Sequence, residues 1–168
     1  GAAAAAAAAP AGPPAAEGFV PRVELLHGLQ EPAASAAVAQ AAAMASGFMR
    51  SAFWASLPPD APRRTETAFL LALGGRIVEG RIDLLVETPD EVIVVDFKTD
   101  AWQNAARHRA QLSLYRRAAS GLAPGKRVRV GLYWLRIGEI EWQTEDLSEA
   151  ALLELASRAA ETLDNASA

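Results

Sequence analysis

One segment constrains this chain more than any other: Glu91-Val-Ile-Val-Val-Asp-Phe-Lys-Thr99. Its length and its four successive β-branched residues are those of a central strand buried on both faces, and its end is charged. Side chains alternate along a strand, so Val92, Val94, Asp96 and Lys98 share one face while Ile93, Val95 and Phe97 share the other. Asp96 and Lys98 therefore enter the same space. The preceding segment, Ile77 to Val86, is also strand-like and carries Asp83. Thr88-Pro-Asp-Glu91 supplies the turn between the two, so the hairpin brings Asp83 toward Asp96.

Two carboxylates held together away from water are costly unless a positive charge compensates them. A hard divalent cation with oxygen ligands answers that need, and magnesium or manganese fits best. Such a cation can orient a water and neutralise charge on a phosphoryl transition state, with Lys98 placing the water or balancing the anion. Taken alone, an acid and a lysine at a strand end read equally well as neighbours that solvate a surface hairpin.

More of the chain joins the pattern. Gly80-Arg-Ile-Asp83, Val95-Asp-Phe-Lys-Thr99 and Gln111-Leu-Ser-Leu-Tyr115 stand in the order and spacing of the PD-(D/E)XK nucleases of the RecB type, which the chain resembles from about Arg22 to Trp134. Within that group it is most similar to the carboxy-terminal nuclease domains of AddA-type helicase-nuclease subunits. Arg22-Val-Glu-Leu-Leu-His27, followed by Leu29, resembles the family's early helix with its histidine. Val23 departs from the family's usual glycine, and His108 stands where an aromatic residue is common.

The resemblance implies that His27, Asp83, Asp96 and the backbone carbonyl of Phe97 bind metal and that Lys98 is the catalytic lysine. By itself, a histidine beside Leu25, Leu26 and Leu29 reads as a packed helix residue. Gln111 and Tyr115 match the family's Q-x-x-x-Y motif, and their spacing sets them on one helix face with His108 and Leu112. Glu66 matches an acid common on the family's first strand, and by itself reads equally as a solvated strand residue. The fold implied is α/β, a restriction-endonuclease-like core with a mixed central sheet flanked by helices. The function implied is that of a magnesium-dependent exonuclease domain, with manganese able to substitute, that cuts single-stranded DNA in double-strand break repair and recombination. Its partners would be DNA, a helicase motor of the same polypeptide and an AddB-like second subunit. A free-standing RecB-like nuclease differs only in context. A non-cutting DNA-binding module is the alternative from another class, and the intact Asp83, Asp96 and Lys98 argue against it.

Composition narrows the field further. With 168 residues and 51% hydrophobic content the chain can bury one core. The absence of cysteine removes disulfide scaffolds, thiolate zinc sites and cysteine nucleophiles, and it sets aside relatives clamped by an iron-sulfur cluster. No segment has the length and apolarity of a membrane span and no signal peptide opens the chain, so the cytoplasm is expected. Pro124-Gly-Lys-Arg127 lacks the hydroxyl of a nucleotide-binding loop. The net charge of -4 conceals a basic stretch: Phe97 to Arg136 holds nine lysines and arginines against one acid, Asp100. Arg109 and Arg116 on the helix after the catalytic strand are expected to grip a phosphate backbone, although a solvated arginine face is the bland alternative.

Residues 1–16, rich in alanine and proline, read as tail or linker, and 17–168 as one nuclease domain. Expected in order are a helix over Arg22 to Gln30, an amphipathic helix over Ser35 to Leu57, and strands over Thr65 to Leu73, Ile77 to Val86 and Glu91 to Thr99. A helix over Gln103 to Ser120, strands over Val128 to Arg136 and Glu139 to Gln143, and a helix over Ser148 to Leu163 complete the chain.

Overall fold

The computed structural model describes residues 31–100 and 103–166, in two units divided between Ser46 and Gly47. The tail over 1–16 and the helix expected around His27 lie outside the described residues. What is described of the first unit belongs to helix α1 (Glu31–Met49), whose run of alanines has high intrinsic helix propensity. The single helix expected over Ser35 to Leu57 is in fact broken. α1 stops at Met49, and a short α2 (Ala52–Ser56) restarts after Ser51, whose side chain accepts the Trp54 N–H at 3.1 Å. Serine competes with the helical ladder in this way, which makes it a better cap than helix interior. Leu57 closes α2 ahead of Pro58 and Pro59.

The second unit is built on five strands: β1 (Arg63–Leu73), β2 (Arg76–Glu87), β3 (Glu91–Lys98), β4 (Arg127–Trp134) and β5 (Glu139–Trp142), adjacent in that order. β3 and β4 run parallel and the other neighbours antiparallel. A parallel pair needs a crossover, which here is a 3₁₀ turn (Ala105–His108) leading into α3 (Arg109–Leu122). The last helix is α4 (Glu149–Ala166). This is the mixed sheet flanked by helices that the sequence implied, with element ends of this unit shifted by at most three residues, except that the helix expected from Gln103 opens as a 3₁₀ turn at Ala105 and becomes α-helical at Arg109. Gly74 and Gly75 take positive φ of 54° and 77°, the geometry of a two-residue hairpin turn, and Leu73 pairs with Arg76. The Thr88 turn closes through its own hydroxyl, which accepts the Glu91 N–H at 3.0 Å. Among the described residues no helix is long and apolar enough to cross a membrane.

β3 divides the core as its alternation dictates. Val92 and Val94 pack with Leu112, Tyr115, Ala118 and Ala119 of α3. Ile93 and Val95 pack on the opposite face with Phe48, Leu57 and Tyr133. There the rings of Phe97 and Tyr133 each meet Phe48 edge-on at 4.8 Å. Each fully buried aliphatic side chain contributes about 1.5–3 kcal/mol, so this doubly covered strand anchors the unit.

The alternation of β2 fails at one place. Ile82 and Leu85 face the α3 side, whereas Leu84 and Val86 face the other. Asp83 sits at this break. Across from it on β1, between the pairs Thr65↔Leu84 and Thr67↔Ile82, Glu66 adopts a φ of 51°. A left-handed backbone at a residue with a Cβ costs about 1–2 kcal/mol, and such strain is commonly concentrated near functional sites.

Candidate active site

The β2–β3 ladder runs from Glu87↔Val92 to Leu84↔Val95 and ends there. The next position would set Asp83 opposite Asp96. Instead of further backbone pairing, Phe97 donates its N–H to Asp83 Oδ2 at 2.8 Å. Thus the carboxylate of Asp83 takes the place of a strand partner, and the two acids meet where the sheet opens.

Asp96 is only 2% exposed and each of its oxygens is engaged differently. Gln111 Nε2 donates to Oδ1 at 2.9 Å. Lys98 Nζ stands 2.6 Å from Oδ2, in ion-pair contact but off the line of a hydrogen bond, so Oδ2 retains unused acceptor capacity. Lys98 Nζ also donates to Gln111 Oε1 at 3.2 Å, and Gln111 Nε2 reaches the Tyr115 hydroxyl at 2.8 Å. One turn of α3 thereby ties the acid and the lysine of β3 into a single network. Tyr115 is fixed in turn by an edge-on contact with Phe69 of β1, ring centroids 5.8 Å apart.

Burial raises the Asp83 carboxyl above the usual aspartate range; the Phe97 N–H opposes this, the charges of Asp96 and Glu66 add to it, and Lys98 lowers it. Burial likewise pushes the Tyr115 hydroxyl up to about 12, so it remains protonated at any physiological pH. The site therefore carries clustered negative charge that Lys98 only partly offsets.

Asp83, Asp96, Lys98, Gln111 and Tyr115 are thus brought together as their strand and helix positions required. Phe97 contributes through its backbone, its ring being packed on the opposite face against Phe48. Glu66 is exposed and pairs with Arg81 at 3.5 Å, joining the site through its charge on Asp83. His108 stands 3.6 Å from Asp100 and meets the Trp134 ring edge-on. His27 lies outside the described residues.

The basic stretch is met largely by acids and carbonyls of other elements. Arg109 pairs with Glu145 at 2.9 Å. Arg116 pairs with Asp146 at 2.9 Å and donates to the carbonyls of Val128 and Gln143 at 2.6 and 2.9 Å, which makes it a clamp on the segment after β5. Arg117 meets Glu149, Lys126 meets Glu87, and Arg127 and Arg129 share Glu91. Arg136 donates to the Thr99 carbonyl. Most of the run is thus neutralised by acids distant in sequence. Ser113, which sequence reasoning missed, secures the same segment: its buried hydroxyl accepts the Leu147 N–H at 3.0 Å and the Gln143 side-chain amide at 3.1 Å. Nothing local in the sequence could single out a serine whose partners are some thirty residues away.

The donors present fit a hard divalent cation. They are oxygen atoms only, they crowd negative charge at one point, and Asp96 Oδ2 is buried with acceptor capacity to spare. Among the described residues no group of three or more acidic, histidine or cysteine side chains is spaced to hold a metal ion. Two carboxylates are nonetheless within the ordinary provision for magnesium, which keeps waters and takes further ligands from substrate phosphates.

Comparison with known proteins agrees with this geometry. The family model described as the PD-(D/E)XK nuclease superfamily matches residues 5–168, and the chain belongs to that superfamily, whose members are metal-dependent nucleases. No curated protein matches the chain in sequence. A solved structure, described as the crystal structure of SSO0001, is similar with 22% identity and a TM-score of 0.40 over 56% of this chain. The chain spans 48% of that structure's length.

Proposed function

We propose that the chain is a magnesium-dependent deoxyribonuclease domain that hydrolyses phosphodiester bonds of single-stranded DNA, with Asp83, Asp96 and Lys98 at its centre. The observation that carries this reading is the Asp96–Lys98–Gln111 network: one face of β3 presents a buried carboxylate and an ammonium 2.6 Å apart, both held by the same glutamine. Asp83, Asp96 and the Phe97 carbonyl would hold the cation, together with His27. When bound, the cation lowers the pKa of a coordinated water and offsets charge on the phosphate.

The protein's own groups do the rest. Gln111 holds Asp96 Oδ1 and so fixes the rotation of the carboxylate, while the Phe97 N–H fixes Asp83. Lys98, anchored by Gln111 Oε1, would hold the attacking water and balance the developing negative charge. Tyr115, protonated and buried, keeps Gln111 in one orientation.

The finer reading is an exonuclease domain of the AddA type, fed by a helicase motor and paired with an AddB-like subunit in double-strand break repair. It is supported by the order and spacing of Gly80-Arg-Ile-Asp83, Val95-Asp-Phe-Lys-Thr99 and Gln111-Leu-Ser-Leu-Tyr115. The test is cleavage of end-labelled single-stranded DNA by the purified chain with magnesium, manganese or chelator, beside Lys98→Ala and Asp83→Ala. Metal-dependent cutting lost in both variants supports the reading. DNA binding without cutting in either metal would replace it with a non-cutting binding module.

A further inference from the structure

Among the described residues two members of the basic stretch have no acidic partner: Arg136, which donates to the Thr99 carbonyl, and Arg107, which is exposed and stands second in the run. It occupies the 3₁₀ turn Ala105–His108 that leads without interruption into α3. Gln111, which holds both Asp96 and Lys98, follows four residues later, so Arg107 lies one turn before it at the catalytic end of α3. Asn104 stands at the N-cap of the same turn, and its side chain makes no capping bond. Asn104 and Arg107 are both exposed. Their amide and guanidinium donors are groups that take phosphate oxygens.

We propose that Arg107, assisted by Asn104, is the contact for a backbone phosphate flanking the scissile bond, and that Arg109 and Arg116 are not. The proposal rests on the nuclease reading and names the part of the chain that grips the substrate. Arg116 is committed to two backbone carbonyls and Asp146, and a phosphate could reach it only by displacing them. Arg109 is held by Glu145, whose carboxylate would repel the same phosphate. His108, beside Arg107, is engaged by Asp100.

The test is binding of a fluorescent oligothymidylate to the 168-residue chain by anisotropy, with chelator present throughout so that no cutting occurs, across a series of salt concentrations. Arg107→Ala should weaken binding and reduce the slope of log affinity against log salt by about 0.7, the value for one phosphate contact on a single strand. Arg107→Lys should keep the wild-type slope, and so should Arg117→Ala, which removes an arginine of α3 paired with Glu149 of α4. Melting temperatures equal to wild type exclude misfolding. An unchanged slope in Arg107→Ala, an equal loss in Arg117→Ala, or no measurable binding by wild type would each overturn the proposal. Because no metal is present, this result is independent of cleavage: a chain that binds through Arg107 yet never cuts overturns the nuclease reading alone.

Discussion

Asp83 accepts the backbone N–H of Phe97 at 2.8 Å, just beyond Leu84 and Val95, the last paired residues of β2 and β3. A carboxylate has replaced a strand carbonyl, and the same bond that ends the ladder sets Asp83 beside Asp96. The arrangement is strained electrostatically, since burial and the neighbouring acids raise the Asp83 carboxyl above its ordinary value.

From that strain follows an opposition between stability and activity. Asp83→Asn keeps an acceptor for Phe97 while removing the charge. A carboxyl whose folded pKa is raised contributes stability that is complete below its unfolded value of 3.8 and is lost as pH rises through the folded value. The variant should therefore match wild type at pH below 3.8 and be the more stable at neutral pH, with the higher Tm, without added metal. Its cleavage activity should be lost. Thermal melts across pH decide this, and equal Tm at pH 7 would show that the charge is fully compensated in the fold.

Lys98→Ala removes the counter-charge of an acid that is 2% exposed. Cleavage should fall by about 10²–10⁴. Stability should fall too, by about 1–3 kcal/mol, because Asp96 is left buried with no counter-charge, held by Gln111 and Tyr115. Adding Asp96→Asn to Lys98→Ala should recover most of that stability and none of the activity, which urea titration of the two variants would reveal.

Tyr115 predicts a loss at the alkaline end. Its hydroxyl is raised to about 12, so its contribution is complete below pH 10 and disappears as pH rises through about 12. Tyr115→Phe should flatten the alkaline decline in stability. It should also lower kcat with little change in KM, since Gln111 would lose the hydroxyl that receives its amide. Denaturation midpoints above and below pH 10 compare the two chains directly.

Arg116→Ala should act on the fold and leave the site alone. Its guanidinium joins α3, the start of β4 and the segment after β5 through two carbonyls and Asp146. Loss of these charged bonds should cost about 2–3 kcal/mol, and Arg116→Lys should restore little, because one ammonium cannot reach the same three acceptors. Hydrogen exchange should quicken at Gln143 to Leu147, while cutting per folded molecule stays near wild type.

The sequence by itself determined the strands and what they present. Four β-branched residues in succession required a strand buried on both faces, and alternation then required Asp96 and Lys98 to share a side, as they do. The i, i+4 spacing of Gln111 and Tyr115 likewise placed both toward the same site. These outcomes depend on local periodicity, which is written in adjacent residues. Tertiary structure alone decided the break in β2 at Asp83, the left-handed backbone of Glu66 across from it, and the replacement of a ladder bond by a carboxylate. It also decided which arginines of the basic stretch are paired. A run of nine basic residues looks like one binding surface in the sequence, but Glu87, Glu91, Glu145, Asp146 and Glu149, brought in from other elements, neutralise most of it. Ion pairing acts through space between residues that are far apart in the chain, so no reading of one segment could have shown that Arg107 has no acid among the described residues.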